Sequence, residues 1–386
     1  MKPLAEWRSG CYPLDMTPCA LCRKAAAAGI IFLLPLVAMV AAPRKVIIDQ
    51  DAFGPGGPNL QPILMVLQCP DVEVLGIMIE SGDGWQKENT AHTLRMLEII
   101  GRTDIPVVAG STLPLRNTPE ATKRWEARHG QLVYKGAWTE AWPAGSINRR
   151  PIHPPEVVPP SPEGAPTTLP ASEPAEVFLV RKVREFPGEV SILAMGPLTN
   201  IALALRRDAE LATLAKEIVL MGGSFNPRAA NNEFAQEYIH HPRLEFNFRW
   251  DPEAAAAVLQ APWRKLIQVP VDPTTRTLFS PALIKRIAAA DTPVARYVAR
   301  HIEGFPMWDE LSAAVWLDAA IVTRSERLAV GVDTAAEAAG YGNTLSWPAG
   351  QGPGLGERDI TVVFEVDVPR LEKLVVNLLT SPSSGK

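Results

Sequence analysis

Asp49-Gln50-Asp51 sets two carboxylates one residue apart, directly after the apolar run Val46-Ile47-Ile48. Residues of the same parity face one side of an extended segment. Both acids can therefore serve a single hard cation or a single polyol. On residue types alone, a solvated strand end before a turn is the reading that comes first. Glu245-Phe246-Asn247 repeats the spacing with an acid and an amide. Such a pair grips vicinal hydroxyls, the acid accepting and the amide doing either. Asp309 opens an apolar helix in Pro306-Met307-Trp308-Asp309-Glu310-Leu311, where it can cap the helix or offer a further carboxylate. In Ala194-Met195-Gly196-Pro197 a Gly-Pro turn exposes the Met195 carbonyl, an oxygen that suits a hard cation. Asp251-Pro252 reads as an N-cap with proline at the first helical position, a structural role.

The elements that must position these groups alternate along the chain. Lys45 to Ile48 is apolar on both faces, as in the centre of a parallel sheet covered by helices. Ligands in such sheets sit beyond the carboxyl ends of the strands, where Asp49 and Asp51 emerge. The loop Ala52 to Asn59, rich in glycine and proline, lets backbone approach a ligand closely. Helical stretches are expected at Asn59–Gln68, Gln86–Ile100, Ala175–Phe186, Leu198–Arg206 and Val368–Leu379. Strands are expected at Val72–Met78, Ile105–Val108, Val190–Ala194, Glu217–Met221 and Ile360–Val366. This order implies an α/β fold, a mainly parallel sheet flanked by helices in a single domain. Nine prolines between Pro151 and Pro174 rule out a helix or central strand there, so about 143–174 reads as a surface excursion. The domain is expected over 44–380, with 381–386 a tail.

A chain of 386 residues with 47% hydrophobic content can bury a large core. A net charge of −4 with no basic stripe argues against nucleic acid as a partner. The six histidines include no zinc-binding spacing, and Cys19-x-x-Cys22 has no second pair to complete a site. Arg23-Lys24 precede an apolar run from Ala25 to Ala42 that ends in small residues before Pro43. Residues 1–43 therefore read as an export signal, giving a periplasmic or extracellular protein, or as an uncleaved membrane anchor. A homo-oligomer is compatible with the sequence.

Taken together, these segments resemble the inosine-uridine preferring nucleoside hydrolase family, whose hallmark is an N-terminal D-x-D-x-G-x-D-D. Asp49-Gln50-Asp51 matches its start, and Leu193 to Leu205 resembles its T-G-P-L-T-N-x-A. Met221-Gly222-Gly223, Glu245-Phe246-Asn247 and Asp251-Pro252-Glu253-Ala254-Ala255 match M-G-G, E-F-N and D-P-E-A-A. The likeness spans about 44–380. It implies hydrolysis of the N-glycosidic bond of ribonucleosides or related N-ribosides, with a calcium ion as cofactor. By the resemblance, Asp51 is both a calcium ligand and the base that takes a proton from water. Asp309 is a second carboxylate ligand, Met195 contributes its carbonyl, and Asp49 supports the site. Glu245 and Asn247 hold ribose hydroxyls, and Asp83 stands where the family has an asparagine that does the same.

The chain departs from the pattern in two places. Pro58 and Asn59 stand where the family has paired acids, so Asn59 offers the metal an oxygen without charge, with Gln61 an alternative donor. Trp308 stands where a histidine usually precedes the last aspartate, and can stack on a base but not protonate it. His240 and His241 are candidate replacements, and equally read as surface histidines. Asn231 and Asn232 are candidates for another family amide. Two other functions are compatible with the sequence: a non-catalytic ribose- or nucleoside-binding protein on the same fold, and a hydrolase of another glycoside-like substrate.

Overall fold

Strand β1 (Arg44–Gln50) forms from the apolar run, and its side chains alternate between two cores. Val46 and Ile48 enter one core and Ile47 the other, all fully buried. Each such side chain contributes roughly 1.5–3 kcal/mol relative to exposure. A strand apolar on both faces is stable only with helices above and below, and the chain supplies both layers. The structure, a computed structural model, describes residues 42–140, 152–227 and 236–382. The segment before Ala42 that is expected to direct export, the start of the excursion as far as Pro151, Asn231 and Asn232, and most of the tail lie outside the described residues.

The remaining strands are β2 (Val72–Ile79), β3 (Val107–Ala109), β4 (Ser191–Ala194), β5 (Glu217–Met221), β6 (Leu266–Val269), β7 (Val322–Val332), β8 (Thr344–Pro348) and β9 (Arg358–Val366). They form one sheet in the order β3-β2-β1-β4-β5-β6-β9-β7-β8. β1 to β6 and β9 run parallel, while β7 runs antiparallel to both β8 and β9. Strand order reverses direction between β1 and β4, and the crevice at such a switch point is where open α/β sheets bind ligands. Residues Ala42–Lys386 cluster as one compact unit. No described helix is long and apolar enough to cross a membrane.

The helices Leu60–Leu67, Gln86–Ile100, Ala175–Glu185, Thr199–Arg207 and Val368–Thr380 lie where the sequence pattern places them. One segment differs. The period-two reading of Glu245-Phe246-Asn247 implies an extended chain, but Phe246–Trp250 is a short helix with Glu245 as its N-cap. The Glu245 carboxylate accepts from the N–H groups of Asn247 and Phe248, and this local bonding overrides the alternation. The helix Pro119–His129, capped by Thr118, has no counterpart in the sequence reading.

Residues 152–174 contain no helix or regular strand, but they are bonded to the body. Glu163 is buried, its Oε1 2.7 Å from His92 Nδ1 and its Oε2 accepting from the Tyr297 hydroxyl at 2.8 Å. Thr167 and Thr168 each donate both N–H and O–H to Glu98 Oε1, at 2.6–2.9 Å. The Ala171 N–H then bonds the Val107 carbonyl at 2.8 Å, beside β3.

Candidate active site

Asp51 is the first residue past β1, 1% exposed, at the carboxyl edge beside the switch point. Its Oδ2 accepts from the Asp83 N–H at 2.8 Å and its Oδ1 from Asn59 Nδ2 at 3.2 Å. The Asn59 nitrogen also reaches Asp83 Oδ2 at 3.1 Å and Asp309 Oδ2 at 3.4 Å. One amide nitrogen thus lies among three carboxylates drawn from the ends of β1 and β2 and from the helix Trp308–Leu317. Asp309 is not that helix's cap. Met307 holds the cap position, and Asp309 stands in the first turn, 3% exposed. Gln50 ties the group together: its Nε2 donates to Asp309 Oδ2 at 2.9 Å, and its Oε1 accepts the Asp51 N–H.

Burial, and then the charges of Asp83 and Asp309, push the Asp51 carboxyl well above its ordinary pKa. Asp309 is raised likewise by burial and by Glu310, Asp83 and Glu245, against a lowering bond from Gln50. Glu310 follows on the same helix with neither oxygen hydrogen-bonded, and burial pushes it to about 8. A concentration of buried, mutually repelling acids is what a cation relieves.

Asp49 does not share this focus. β1 ends at Gln50, so the extended geometry that would align the two acids stops between them. Asp49 Oδ1 accepts from Asn200 Nδ2 at 2.8 Å, and Oδ2 has no hydrogen-bond partner. Burial raises Asp49 to about 7, opposed by the Asn200 bond. Glu80 lies close by, accepting the Asn200 N–H at 3.1 Å and raised well above its ordinary value by burial and by Asp49. Asp49, Glu80 and Asn200 form a second polar layer beneath Asp51.

Glu245 and Asn247 reach the site from the start of the helix Phe246–Trp250, bonded to main chain at the ends of β4 and β5. Glu245 accepts N–H groups from Asn247 at 2.7 Å, Gly223 at 2.8 Å and Phe248 at 3.1 Å. Burial nonetheless lifts it to about 7. Asn247 Nδ2 donates to the Met221 carbonyl at 3.2 Å and lies 3.4 Å from the Met195 carbonyl. Asp83 is half-buried and accepts from the Tyr134 hydroxyl at 2.7 Å, and Tyr134 packs on Phe246 with centroids 4.9 Å apart. Asp251 caps Pro252–Gln260 through the Ala254 N–H and also accepts from Thr199, so it is structural.

Trp308 is half-buried beside Phe305, their centroids 6.4 Å apart. His240 is exposed. His241 packs on Trp125 at 5.4 Å, where burial, His240 and Arg249 lower its pKa. Neither histidine shows a hydrogen bond to the carboxylates among the described residues. Sequence reasoning missed Gln50, Asn200, Glu80, Glu310 and Tyr134. Gln50 and Asn200 sit inside the quoted motifs, whereas Tyr134 carries no local signal.

No three His, Cys, Asp or Glu side chains among the described residues stand together as a ready-made chelate. The Asn59 amide lies between the carboxylates instead. The donors themselves are all hard oxygens: Asp51, Asp309, the Met195 carbonyl and Asn59, whose buried Oδ1 has no partner. That set fits calcium rather than a softer ion.

The sequence profile of the inosine-uridine preferring nucleoside hydrolases matches residues 46–373. The "Probable uridine nucleosidase 1" of Oryza sativa subsp. japonica is 30% identical, covering 88% of this chain and 97% of its own length. The "Pyrimidine-specific ribonucleoside hydrolase RihA" of Salmonella enteritidis PT4 is 29% identical over 75% of this chain and 84% of its own. A solved plant nucleoside hydrolase superposes with a TM-score of 0.66 at 24% identity, covering 88% of this chain and 100% of that one. A purine-preferring ribonucleoside hydrolase from Gardnerella vaginalis gives 0.66 at 21% identity, covering 87% and 98%.

Proposed function

The chain belongs to the inosine-uridine preferring nucleoside hydrolase family, and we propose that it cleaves the N-glycosidic bond of ribonucleosides or related N-ribosides by the attack of water, with Asp51 as the base. The observation that carries this reading is the convergence of Asp51, Asp83 and Asp309 on one amide nitrogen at the switch point, next to Glu245 and Asn247.

Cleavage passes through an oxocarbenium-like state in which positive charge grows on the sugar as the base departs. Buried carboxylates fixed around the ribose stabilise that charge without reorganising. Glu245 is held rigidly by three main-chain N–H groups and Asn247 by two carbonyls, so both are pre-oriented for ribose hydroxyls. Asp51 accepts the proton of the attacking water, and Asp49 with Asn200 supports β1 beneath it. Asp51, Asp309, Asn59 and the Met195 carbonyl would hold calcium. When bound, calcium supplies a fixed positive pole that orients hydroxyls and makes water more acidic. Trp308 offers a stacking face to the departing base, and His240 and His241 are the candidate proton donors to it. Residues 1–43 are proposed to direct export or anchor the chain, bringing it to extracellular or periplasmic nucleosides.

Incubating the purified chain with a panel of ribonucleosides and calcium, then assaying free ribose, tests the reading. Ribose release supports it. The neutral Asn59 favours a second reading, a ribose-binding protein without turnover. Tight ribose binding by calorimetry with no release from any nucleoside overturns the first reading in favour of the second.

A further inference from the structure

Among the described residues, the two Asp83 oxygens meet partners of different kinds. Oδ1 accepts from the Tyr134 hydroxyl at 2.7 Å, which fixes the plane of the carboxylate. Oδ2 is turned inward to Asn59 Nδ2 at 3.1 Å, the atom also contacted by Asp51 and Asp309. The Asp83 N–H meanwhile binds the other oxygen of Asp51, so the loop after β2 is locked onto the site by main chain as well as side chain.

Asn59 supplies an independent observation. It is 3% exposed and opens the helix Leu60–Leu67, yet its Oδ1 has no partner while its Nδ2 takes three. A carboxamide is close to symmetric in shape, and turning it over exchanges its oxygen and nitrogen. Facing anions alone, the donor end points inward. Facing a cation, the oxygen end belongs there. Asn59 thus presents a positive dipole end to three acids and keeps an unpaired oxygen in reserve.

Resting on the reading of this place as a cation site, we propose that Asp83 is its third anionic ligand, carrying the charge that Asn59 lacks, and that Tyr134 is the positioning residue that holds it. The third negative charge of the site then comes from the loop after β2 rather than from the start of the helix at Leu60. Charge count and ligand rigidity set calcium affinity. An acid at position 83 beside an amide at 59 is equivalent in charge to the reverse arrangement.

The test uses the full chain, with calcium titrated by calorimetry and terbium luminescence as a second readout. Asp83→Asn is expected to weaken calcium binding on the order of 100-fold, through the loss of one anionic ligand. The double variant Asn59→Asp/Asp83→Asn, which restores the charge from the other element, is expected to return affinity to within about tenfold of the unaltered chain. Tyr134→Phe is expected to weaken calcium binding about tenfold, as removal of an outer partner does, without lowering the melting temperature of the metal-free protein. Calcium affinity unchanged in Asp83→Asn, with only the KM for nucleoside raised, overturns the proposal and leaves the site reading standing. A double variant as weak as the single one overturns it too. Failure of the unaltered chain to bind calcium or terbium removes the cation site itself, and the proposal with it.

Discussion

Asp51 Oδ2 accepts the main-chain N–H of Asp83 at 2.8 Å, and Gly82, one residue earlier, lies so close that any Cβ there would strike the same oxygen. Gly82 is therefore required by proximity rather than by turn geometry. Gly82→Ala is expected to displace the carboxylate, and a misplacement of about 1 Å costs roughly 100-fold in rate. Ribose release should fall by that order while the circular dichroism spectrum stays unchanged. Full activity in this variant would show that the carboxylate is not where the reaction needs it.

Asp51→Asn keeps the shape of the side chain and its bond from Asp83 but removes the proton acceptor. Loss of a positioned base lowers turnover by roughly 100- to 10,000-fold. Steady-state assays with saturating nucleoside are expected to show that fall in kcat. Turnover within a few-fold of the unaltered chain would assign the base elsewhere.

Glu245 has two tasks, and its removal should be visible in both. Three N–H groups lose their acceptor in Glu245→Ala. An N-cap is worth roughly 0.5–2 kcal/mol, so urea unfolding is expected to show a loss of at least that size. A raised KM for nucleoside should accompany it. A variant as stable as the unaltered chain would mean the helix Phe246–Trp250 does not depend on its cap.

The hold on residues 152–174 is expected to depend on pH from both sides. His92 faces Glu163 and Glu88, with His153 on Glu88 and Tyr297 on Glu163. Burial works against its charged form, but the two glutamates outweigh it and raise the pKa above 6.5. A raised folded-state value gives stability that is complete below the ordinary pKa and lost as pH rises through the raised one. Burial also opposes the charge on Glu98, yet donors from Thr168, Arg95 and Thr167 hold that carboxyl at about 2, against an ordinary 4.5. Its contribution is complete above 4.5 and lost as pH falls towards 2. Amide protection of 152–174, taken relative to intrinsic exchange at each pH, should be greatest between about 4.5 and 6.5, with the alkaline loss abolished in His92→Gln. Protection that does not change from neutral pH upward would rule out His92 as the pin.

How much of this was legible in the sequence depends on how local the cause is. β1 follows from a run of apolar residues and the helix Gln86–Ile100 from the helical spacing of Leu94, Leu97 and Ile100, local patterns that report their own burial. Asp51, Asn59 and Asp309 announced themselves by type and position, but not that the Asn59 nitrogen faces the acids, because that orientation depends on partners as far as 250 residues away. Gln50 is passed over as the residue between the acids, yet it continues the Val46/Ile48 face of β1, and that face meets the helix carrying Asp309. The Glu245 segment misled because a five-residue helix is too short to show a helical period. Tyr134 lies 51 residues from Asp83 in a stretch with no motif, so only the fold could bring it in.

The bond from Ala171 to Val107 has a consequence for how molecules of this protein meet one another. β3 is the outer strand on its side of the sheet, and an open strand edge is a template for pairing with another chain. The segment returning through Ala171 meets that edge in a single bridge and occupies the Val107 carbonyl. Being proline-rich, the cover has few N–H groups of its own to recruit a further strand. The excursion thus works as a terminator, ending the sheet with a surface on which it cannot grow.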